Sequence, residues 1–330
     1  MERVRISDIA EELGLSTATV SNVIHGKTGK VSPETVRRVQ ETLEKRRYIP
    51  SMAGILLAQN DSRIIGVVMN DHEKYQGHLL EDPFIAAALN ALAAEIDRRG
   101  QFMMVKATRD TAAIIRFASM WNLDGMVLIG FCQEDYQLLR DQMHISFVVY
   151  DGYLEDPRGI CNLTLDNFDG GFQVGQHIRS LGHKRALCIA DNGVCMDLER
   201  WDGFSAGFVP ADFWQIPMDL EARRQFYKER LEALMQYTAV FAVSDYYAVD
   251  LMHSLQSEGL AVPKQISVAG FDDTPICRQV VPALTSVRQD SALRARLALE
   301  KLEAMKAGEE AGSTLRLPVT LIKRDSTRSL

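Results

Sequence analysis

The sequence predicts a chain of two parts, a small all-α head and an α/β domain built as two lobes. Three observations predict this fold class. Residues 6–24 repeat apolar side chains at helical spacing on both sides of a glycine. From residue 64 onward, short apolar strands alternate with amphipathic helices in two successive series. Hydrophobic residues make up 46% of the 330, yet no apolar run is long enough to span a membrane.

The head begins with two short helices joined by a tight turn, a helix-turn-helix pattern. We expect Ser7 to cap the first helix, Gly14 to end it and Ser16 to cap the second. One face of the first helix is apolar, at Ile6, Ile9, Ala10 and Leu13. An ordinary helical hairpin would show similar apolar spacing. The glycine, alanine and valine residues stand at the offsets of a motif that places its second helix in the DNA major groove, and they favour that motif.

The second helix carries the residues that the pattern assigns to DNA. Val20, Val23 and Ile24 are predicted to face inward. The short side chains left outside can reach base edges, since Asn pairs with adenine and the methyl groups of Thr or Ala touch that of thymine. The predicted DNA-contacting residues of the head are Ser7, Ser16, Thr17, Ala18, Ser21 and Asn22.

A third helix is predicted to begin at Ser32 and Pro33, a cap followed by a proline in the first turn. Val36, Val39 and Leu43 point inward in this prediction, and the outward residues are mostly basic: Arg37, Arg38, Lys45, Arg46 and Arg47. Residues 1–60 hold nine Lys or Arg against seven Asp or Glu, whereas the whole chain carries −7. A locally positive head suits phosphate binding, but the excess of positive charge is modest. The helix-turn-helix pattern is therefore stronger evidence for DNA binding than the charge is.

The remaining residues predict two α/β lobes joined by extended crossings near 163–167, 286–290 and 317–319. Ligands of such sheets bind beyond the carboxyl ends of the strands, here in a cleft between the lobes. The predicted strands are 64–69, 102–106, 125–129, 147–150, 186–190, 213–216, 239–243 and 267–271. The predicted helices are about 84–99, 110–121, 134–143, 168–181, 197–207, 219–236, 246–258 and 275–281.

Several motifs resemble the lactose/galactose repressor (LacI/GalR) family of bacterial transcription regulators. In the head they are Val4–Ala10, Ala18–Ser21, Val31–Val39 and Tyr48–Pro50. Later motifs, such as Arg200-Trp-Asp-Gly-Phe204 and Ile266-Ser-Val-Ala-Gly-Phe-Asp-Asp273, are similar to the family's periplasmic-binding-protein-like sensor. The likeness spans essentially the whole chain. It implies a lambda-repressor-like head over 1–49, a hinge helix over 50–62, and a bilobed effector-binding and dimerisation domain over 63–330.

The hinge departs from the family's pattern. In that family the segment folds on operator DNA and a leucine enters the minor groove, a position that Leu57 matches. Ser51, Gly54 and Ile55 replace the usual Asn, Ala and Arg. Glycine costs a helix roughly 1 kcal/mol against alanine, so we expect a hinge that orders less readily and depends more on dimerisation. Alternatively, residues 55–57 are simply buried against the larger domain.

The resemblance assigns Arg200 and Asp272 to effector binding. A guanidinium suits sugar hydroxyls, carboxylates or phosphates, and a carboxylate accepts hydroxyl or ring N–H donors. Arg200 could instead pair with Glu199 or Asp202, and Asp272 could cap a helix starting near Thr274. The other predicted effector residues are Asp71, Phe131, Asp151, Trp201 and Ser244. Phe131, Trp201 and also Trp214 could stack on the apolar face of a sugar, although an aromatic residue is more often part of the core. Ser244 is shorter than the Asn of many relatives.

These residues, with the family likeness, favour a carbohydrate effector, while a purine or a phosphorylated partner protein stays open. We expect a homodimeric, cytoplasmic repressor on double-stranded operator DNA, with no membrane contact. A solute-binding protein would share the sensor fold, but the DNA head and the lack of a signal peptide disfavour it. An enzyme is also disfavoured, because the sequence shows no nucleophile, phosphate-loop or metal motif. Five cysteines without ligand spacing indicate reduced thiols, and we expect no cofactor and no metal.

Overall fold

The computed structural model describes residues 4–48, 62–154, 156–309 and 311–330. The chain divides into two compact units, one ending at Ser62 and one beginning at Arg63. Leu57 and nearly all of the predicted hinge, up to residue 61, lie outside the described residues. None of the helices described is long and apolar enough to cross a membrane.

The first unit contains three helices between residues 4 and 48: α1 (Ile6–Leu13), α2 (Thr17–Ile24) and α3 (Pro33–Lys45). Gly14 ends α1 with a φ of 64°, a left-handed conformation that suits glycine. Ser16 Oγ accepts the Thr19 N–H at the start of α2, and Ser32 Oγ accepts the Thr35 N–H at the start of α3. The predicted glycine stop and these two serine caps are confirmed.

The predicted cap at Ser7 is wrong. α1 begins at Ile6, two residues before the start that a Ser7 cap implies, so Ser7 lies within the first turn. Its hydroxyl donates instead to the Asp8 carboxylate at 3.2 Å. Asp8 also accepts the backbone N–H of Arg5 at 2.8 Å, so an acidic residue in the first turn fixes the helix start.

A small apolar core holds the three helices together. Its fully buried members are Ile9, Ala10, Val20, Val23 and Val39. Two of the basic residues predicted to point outward also brace α3 against α1. Arg46 Nε lies 2.7 Å from Glu12 Oε2, and Arg38 donates to the Leu13 carbonyl at 3.3 Å. Both arginines remain partly exposed, so this bracing leaves the positive surface of the head in place.

The second unit consists of two lobes, each built on a six-stranded sheet. The first lobe holds β1 (Ile64–Met69), β2 (Phe102–Ala107), β3 (Gly125–Ile129), β4 (Phe147–Tyr150), β5 (Cys161–Leu165) and β11 (Ser313–Leu317). Its strand order is β11-β5-β4-β3-β1-β2, all parallel. Its helices are α4 (Pro83–Arg98), α5 (Thr111–Trp121), α6 (Gln133–Gln142) and α12 (Ser291–Ala307), with short 3-10 turns at Glu73–Tyr75 and Leu79–Glu81.

The second lobe repeats this plan. It holds β6 (Ala186–Ala190), β7 (Ala211–Gln215), β8 (Ala239–Ala242), β9 (Ser267–Asp272), β10 (Thr285–Arg288) and β12 (Thr320–Ile322). The order is β12-β10-β9-β8-β6-β7, with only β12 antiparallel. Its helices are α7 (Asn167–Ser180), α8 (Cys195–Gly207), α9 (Leu220–Glu229), α10 (Leu231–Leu234) and α11 (Asp245–Ser257), with a 3-10 turn at Pro275–Arg278.

The continuous apolar run of β1 follows from burial on both faces of its sheet. Ile65, Val67 and Met69 pack into one hydrophobic cluster, and Ile64 and Val68 pack into the cluster on the opposite face. A parallel strand covered by helices on both sides needs apolar residues at every position rather than at alternate ones.

Three passages join the lobes. The chain leaves the first lobe between Leu165 and Asn167, returns between Arg288 and Ser291, and crosses again between Leu317 and Thr320. The segments predicted as extended crossings overlap β5, β10 and β11, so they are hydrogen-bonded strands of the two sheets as well as connections. The crossings therefore begin and end inside rigid elements.

The sequence reading differs from the structure in three further places. The single helix predicted over 219–236 is two helices, α9 and α10, because Arg230 leaves the helical conformation with φ −108° and ψ 16°. Helix α12 and strand β12 were not predicted, and strands β5, β10 and β11 were predicted only where the extended crossings overlap them. The predicted helix at 275–281 is only a short 3-10 turn.

Candidate DNA-binding and effector-binding sites

The outer surface of α2 carries the residues predicted to contact DNA. Thr17, Ala18 and Asn22 are exposed and Ser21 is half-buried, whereas Val20 and Val23 are buried on the opposite side. Ser16 is exposed, but its hydroxyl already binds Thr19 through both the backbone N–H and the Oγ1 at 2.8 Å. Thr17, Ala18 and Asn22 are therefore the side chains best placed to reach a base edge.

Arg200, on α8, is buried in the second lobe with only 6% of its surface exposed. Its Nε donates to Asn167 Oδ1 at 2.9 Å, and one terminal nitrogen donates to the Val243 carbonyl at 2.6 Å. The guanidinium carbon lies 3.7 Å from the ring centroid of Phe271. The alternative that Arg200 forms a surface ion pair with Glu199 or Asp202 is therefore not observed. The contacts instead hold the guanidinium at the ends of β8 and β9.

Asp272 ends β9 with a φ of 118°, a conformation that L-residues rarely adopt. It does not cap the following 3-10 turn, because the Thr274 backbone and hydroxyl both bind Asp245 instead. Gln289 Nε2 donates to Asp272 Oδ1 at 2.9 Å. Burial raises the pKa of Asp272 well above its usual value, although the nearby Arg200 acts to lower it. A raised pKa favours the protonated carboxyl, which can both donate and accept a hydrogen bond.

A polar chain runs from Asp272 across the second passage to the first lobe. Gln289 lies in that passage, and its Oε1 accepts from Arg294 at 3.4 Å. Arg294, only 2% exposed on α12, lies 2.8 Å from Asp151 Oδ2 and stacks over the Tyr150 ring at 4.0 Å. The predicted effector residue Asp151 is thus already paired with an arginine of its own lobe, and Gln289 connects this arginine to Asp272 of the second lobe.

The other predicted effector residues have diverse surroundings. Asp71 is half-buried just after β1, and its carbonyl accepts from Arg109. Ser244 caps α11, with its Oγ accepting the Tyr247 N–H at 3.4 Å. Phe131 is buried edge-on to Tyr136, in agreement with the core alternative.

Trp201 belongs to the core of the second lobe. Its ring lies 5.4 Å from that of Phe213 and 6.5 Å from that of Phe204. Trp214, another aromatic candidate for stacking on a ligand, packs edge-on against Phe226 and Tyr237. The structure thus favours a packing role for both tryptophans over a ligand contact.

The sequence did not predict a pair of acidic residues, Asp191 and Asp197, at the edge of the second lobe. Asn192 Nδ2 donates to Asp191 Oδ1 and to Asp197 Oδ2, each at 3.0 Å. Burial raises the pKa of Asp197 to about 7; Arg200 opposes this shift and Asp191 adds to it. Asp191 directly follows a predicted strand, and this position at the carboxyl end of a strand could have indicated a site residue. Asp197 comes close to Asp191 only through the packing of α8 against the sheet, which the sequence does not show.

Helices α7 and α8 are in backbone contact through four glycines: Gly171, Gly175, Gly203 and Gly207. A Cβ built on Gly203 would lie 1.9 Å from the Phe168 carbonyl oxygen, and one on Gly171 would lie 2.0 Å from that of Arg200. Glycine is required here because any side chain would force the helices apart. The contact fixes Arg200, on α8, against the segment that begins at the first passage.

Known proteins share both parts of this architecture. Residues 5–51 match the model of bacterial regulatory proteins of the lacI family, and residues 176–327 match a periplasmic binding protein-like domain. The HTH-type transcriptional repressor PurR of Mannheimia succiniciproducens is 26% identical over 341 residues, covering 98% of this chain and 99% of that protein. The residues of the head and of the sensor are thus matched in one collinear alignment.

Solved structures agree with the fold. A lac repressor dimer bound to operator and the anti-inducer ONPF superimposes with a TM-score of 0.84 and 22% identity, covering 99% of this chain and all of that one. A transcriptional regulator CelR–cellobiose complex gives a TM-score of 0.70 at 22% identity, over 98% of this chain and all of that one. The predicted fold class is confirmed. The chain thus combines a helix-turn-helix head that matches the lacI family of bacterial regulatory proteins with a two-lobed domain that matches a periplasmic binding protein-like domain.

Proposed function

We propose that this protein is a homodimeric repressor whose affinity for operator DNA is controlled by a carbohydrate bound between its two lobes. The observation that carries the proposal is the buried guanidinium of Arg200 beside the carboxyl of Asp272, at the carboxyl ends of the second lobe's strands. Parallel sheets bind ligands at this edge. The exposed polar face of α2 supports the DNA-binding half of the proposal.

The balance of charges favours a ligand rich in hydroxyl groups. Asp191, Asp197 and Asp272 line the second lobe's wall, with Arg200 as the basic residue among them. A carboxyl group can hydrogen-bond to hydroxyls whether it is protonated or ionised, and each ionised one repels phosphate. A neutral sugar therefore fits better than a phosphorylated one. The cellobiose complex of the structurally similar regulator CelR supports this class.

An apolar edge of the first lobe supports the homodimer. Among the strands that the structure describes, β2 is the outermost of its sheet and pairs only with β1. Phe102 is 54% exposed on this strand, and Met120 and Trp121, at the end of α5, the helix that follows β2 in the chain, are 77% and 46% exposed. An edge strand and exposed large apolar side chains are each typical of a surface that another chain covers.

The effector assignment is tested by thermal shift of the full-length protein against neutral sugars, sugar phosphates and nucleobases. A bound ligand raises Tm by an amount that grows with the logarithm of its concentration relative to Kd. We expect neutral sugars alone to stabilise the protein, and Arg200→Ala to abolish the shift. Arg179→Ala, an exposed arginine on α7, is the matched control. If only a nucleobase shifts Tm and Arg200→Ala removes that shift, the carbohydrate assignment is wrong.

The DNA-binding half needs a separate test. Binding to promoter fragments should weaken steeply as salt rises, because counterions released from DNA drive much of the affinity. Protein that binds no fragment near its own gene at low salt, with and without cell metabolites, would contradict the regulator assignment. The outcome for DNA does not depend on which effector class is right.

A further inference from the structure

Residues 71–82 form a segment between β1 and α4 that is fixed at both ends to the first lobe. At its start, Arg109 donates to the Asp71 carbonyl and lies 2.9 Å from Glu73 Oε1. At its end, Asp82 caps α4 by accepting the N–H groups of Phe84 and Ile85 at 3.0 Å. The middle of the segment is therefore a loop held by two anchors.

The middle of this segment reaches the second lobe. Gln76 and Gly77 both adopt positive φ, 48° and 81°, and make a sharp turn after the first 3-10 helix. Gln76 Nε2 then donates to Asp219 Oδ2 at 2.5 Å. Asp219 stands at the start of α9, and its other oxygen accepts the Ala222 N–H at 2.8 Å. One carboxylate thus caps a second-lobe helix and binds a first-lobe side chain at once.

A second link is electrostatic and runs through Lys74. Burial acts to lower the pKa of Lys74, yet Tyr75 and the carboxylates of Asp191, Asp82 and Asp197 raise it above its usual value. Asp82 belongs to the first lobe, whereas Asp191 and Asp197 belong to the second and share the amide of Asn192. The ammonium of Lys74 therefore lies in the field of carboxylates from both lobes.

We propose that residues 71–82 are a strap that fastens the two lobes together across the cleft through the hydrogen bond of Gln76 to Asp219, aided by the attraction of Lys74 to the Asp191–Asp197 pair. Both anchors of the strap are on the first lobe, so opening the cleft breaks the Gln76–Asp219 hydrogen bond, weakens the attraction on Lys74 and leaves the anchors intact. A ligand entering between the lobes meets Lys74 as a competitor for the same acidic pair. The proposal concerns cleft opening and holds whichever effector class is right.

The test is hydrogen exchange with mass spectrometry on the full-length protein, with no DNA or effector added. Gln76→Glu places a carboxylate against Asp219, so the strap should open more often. We expect amide exchange in 71–82 and 191–197 to rise about threefold, the size expected from losing one exposed hydrogen bond. Adding Asp219→Asn should restore slow exchange, because asparagine still caps α9 and can donate to the new carboxylate. Gln142→Glu, an exposed glutamine on α6, is the matched control.

Lys74→Met provides a second variant that adds no negative charge. It should also speed exchange in 191–197, while exchange across β1 stays slow and shows that the first lobe remains folded. The proposal is overturned if Gln76→Glu exchanges like Gln142→Glu. It is equally overturned if Asp219→Asn fails to restore slow exchange, or if Lys74→Met leaves 191–197 unchanged.

Discussion

Arg200 and Asn167 are 33 residues apart in the chain, yet Nε of Arg200 donates to Oδ1 of Asn167 over 2.9 Å. Asn167 is fully buried and is the first residue of α7, directly after the first passage between the lobes. Its own amide nitrogen donates to the Leu165 carbonyl at 3.3 Å. Arg200, which is predicted to bind the effector, is thus hydrogen-bonded to the residue at which the chain enters the second lobe.

Asn167→Ala should therefore destabilise the protein and disturb its response to ligand. It removes one of the two acceptors of the buried Arg200 guanidinium, and a hydrogen bond to a charged group contributes about 1.5–3 kcal/mol. Urea unfolding measures the free energy of unfolding, with Asn90→Ala on the exposed face of α4 as control. Equal midpoints for the two variants would contradict the assigned role of Asn167.

Gly203→Ala should be among the most disruptive single methyl additions in the chain. The new Cβ would lie 1.9 Å from a backbone oxygen of α7, which cannot rotate away. Overpacking of this kind costs about 1–3 kcal/mol, and occasionally more. Gly193→Ala is the control, since nothing lies within 4 Å of its Cβ position. Similar urea midpoints for both variants would show that α7 and α8 separate easily.

Asn22→Ala should change which DNA sequence the protein prefers. Asn22 is exposed on α2, and a base-specific contact is worth about 1–3 kcal/mol of discrimination. Selection from a random DNA library gives the preferred sequence of each variant. Gln40→Ala, exposed on α3, should keep the wild-type preference. An unchanged sequence profile for Asn22→Ala would remove this residue from base recognition.

Asp197 should make the protein less stable as pH rises. Burial raises its folded-state pKa from 3.8 to about 7, against the opposing effect of Arg200. Between roughly pH 4 and 7 the folded state holds a proton that the unfolded state has lost, so this stabilisation declines with rising pH and is absent above the folded pKa. Asp197→Asn carries no such proton. Its unfolding free energy relative to wild type should increase from about pH 5 to about pH 8, and a constant difference would refute the shift.

Local signals predicted much of the fold. The glycine stop after α1 and the serine caps of α2 and α3 depend on residues next to one another in the chain, so they could be read directly. The buried strands β1, β3, β4 and β6 were predicted with their observed bounds, because strands covered on both faces are continuously apolar.

The missed elements depend on contacts between distant residues. In the sequence of α12, the charged residue Arg294 stands among the apolar positions of the buried face. Arg294 is buried in the fold, where it pairs with Asp151 from a distant part of the chain. β11 is an edge strand whose side chains alternate between exposed and more buried, so it lacks the continuous apolar run of β1, β3, β4 and β6. In the candidate site, Lys74 and Asp197 come together only after both lobes have folded.

The short third passage restricts how the two lobes can move relative to one another. Only two residues separate β11 from β12, and each of these strands is hydrogen-bonded into a different sheet. So short a connection allows the lobes to rotate relative to one another but hardly to slide past one another. Together with the other two passages it defines an axis, and domain motions of this kind are rotations about a hinge. A small turn of one lobe therefore becomes a large displacement at the surface farthest from that axis.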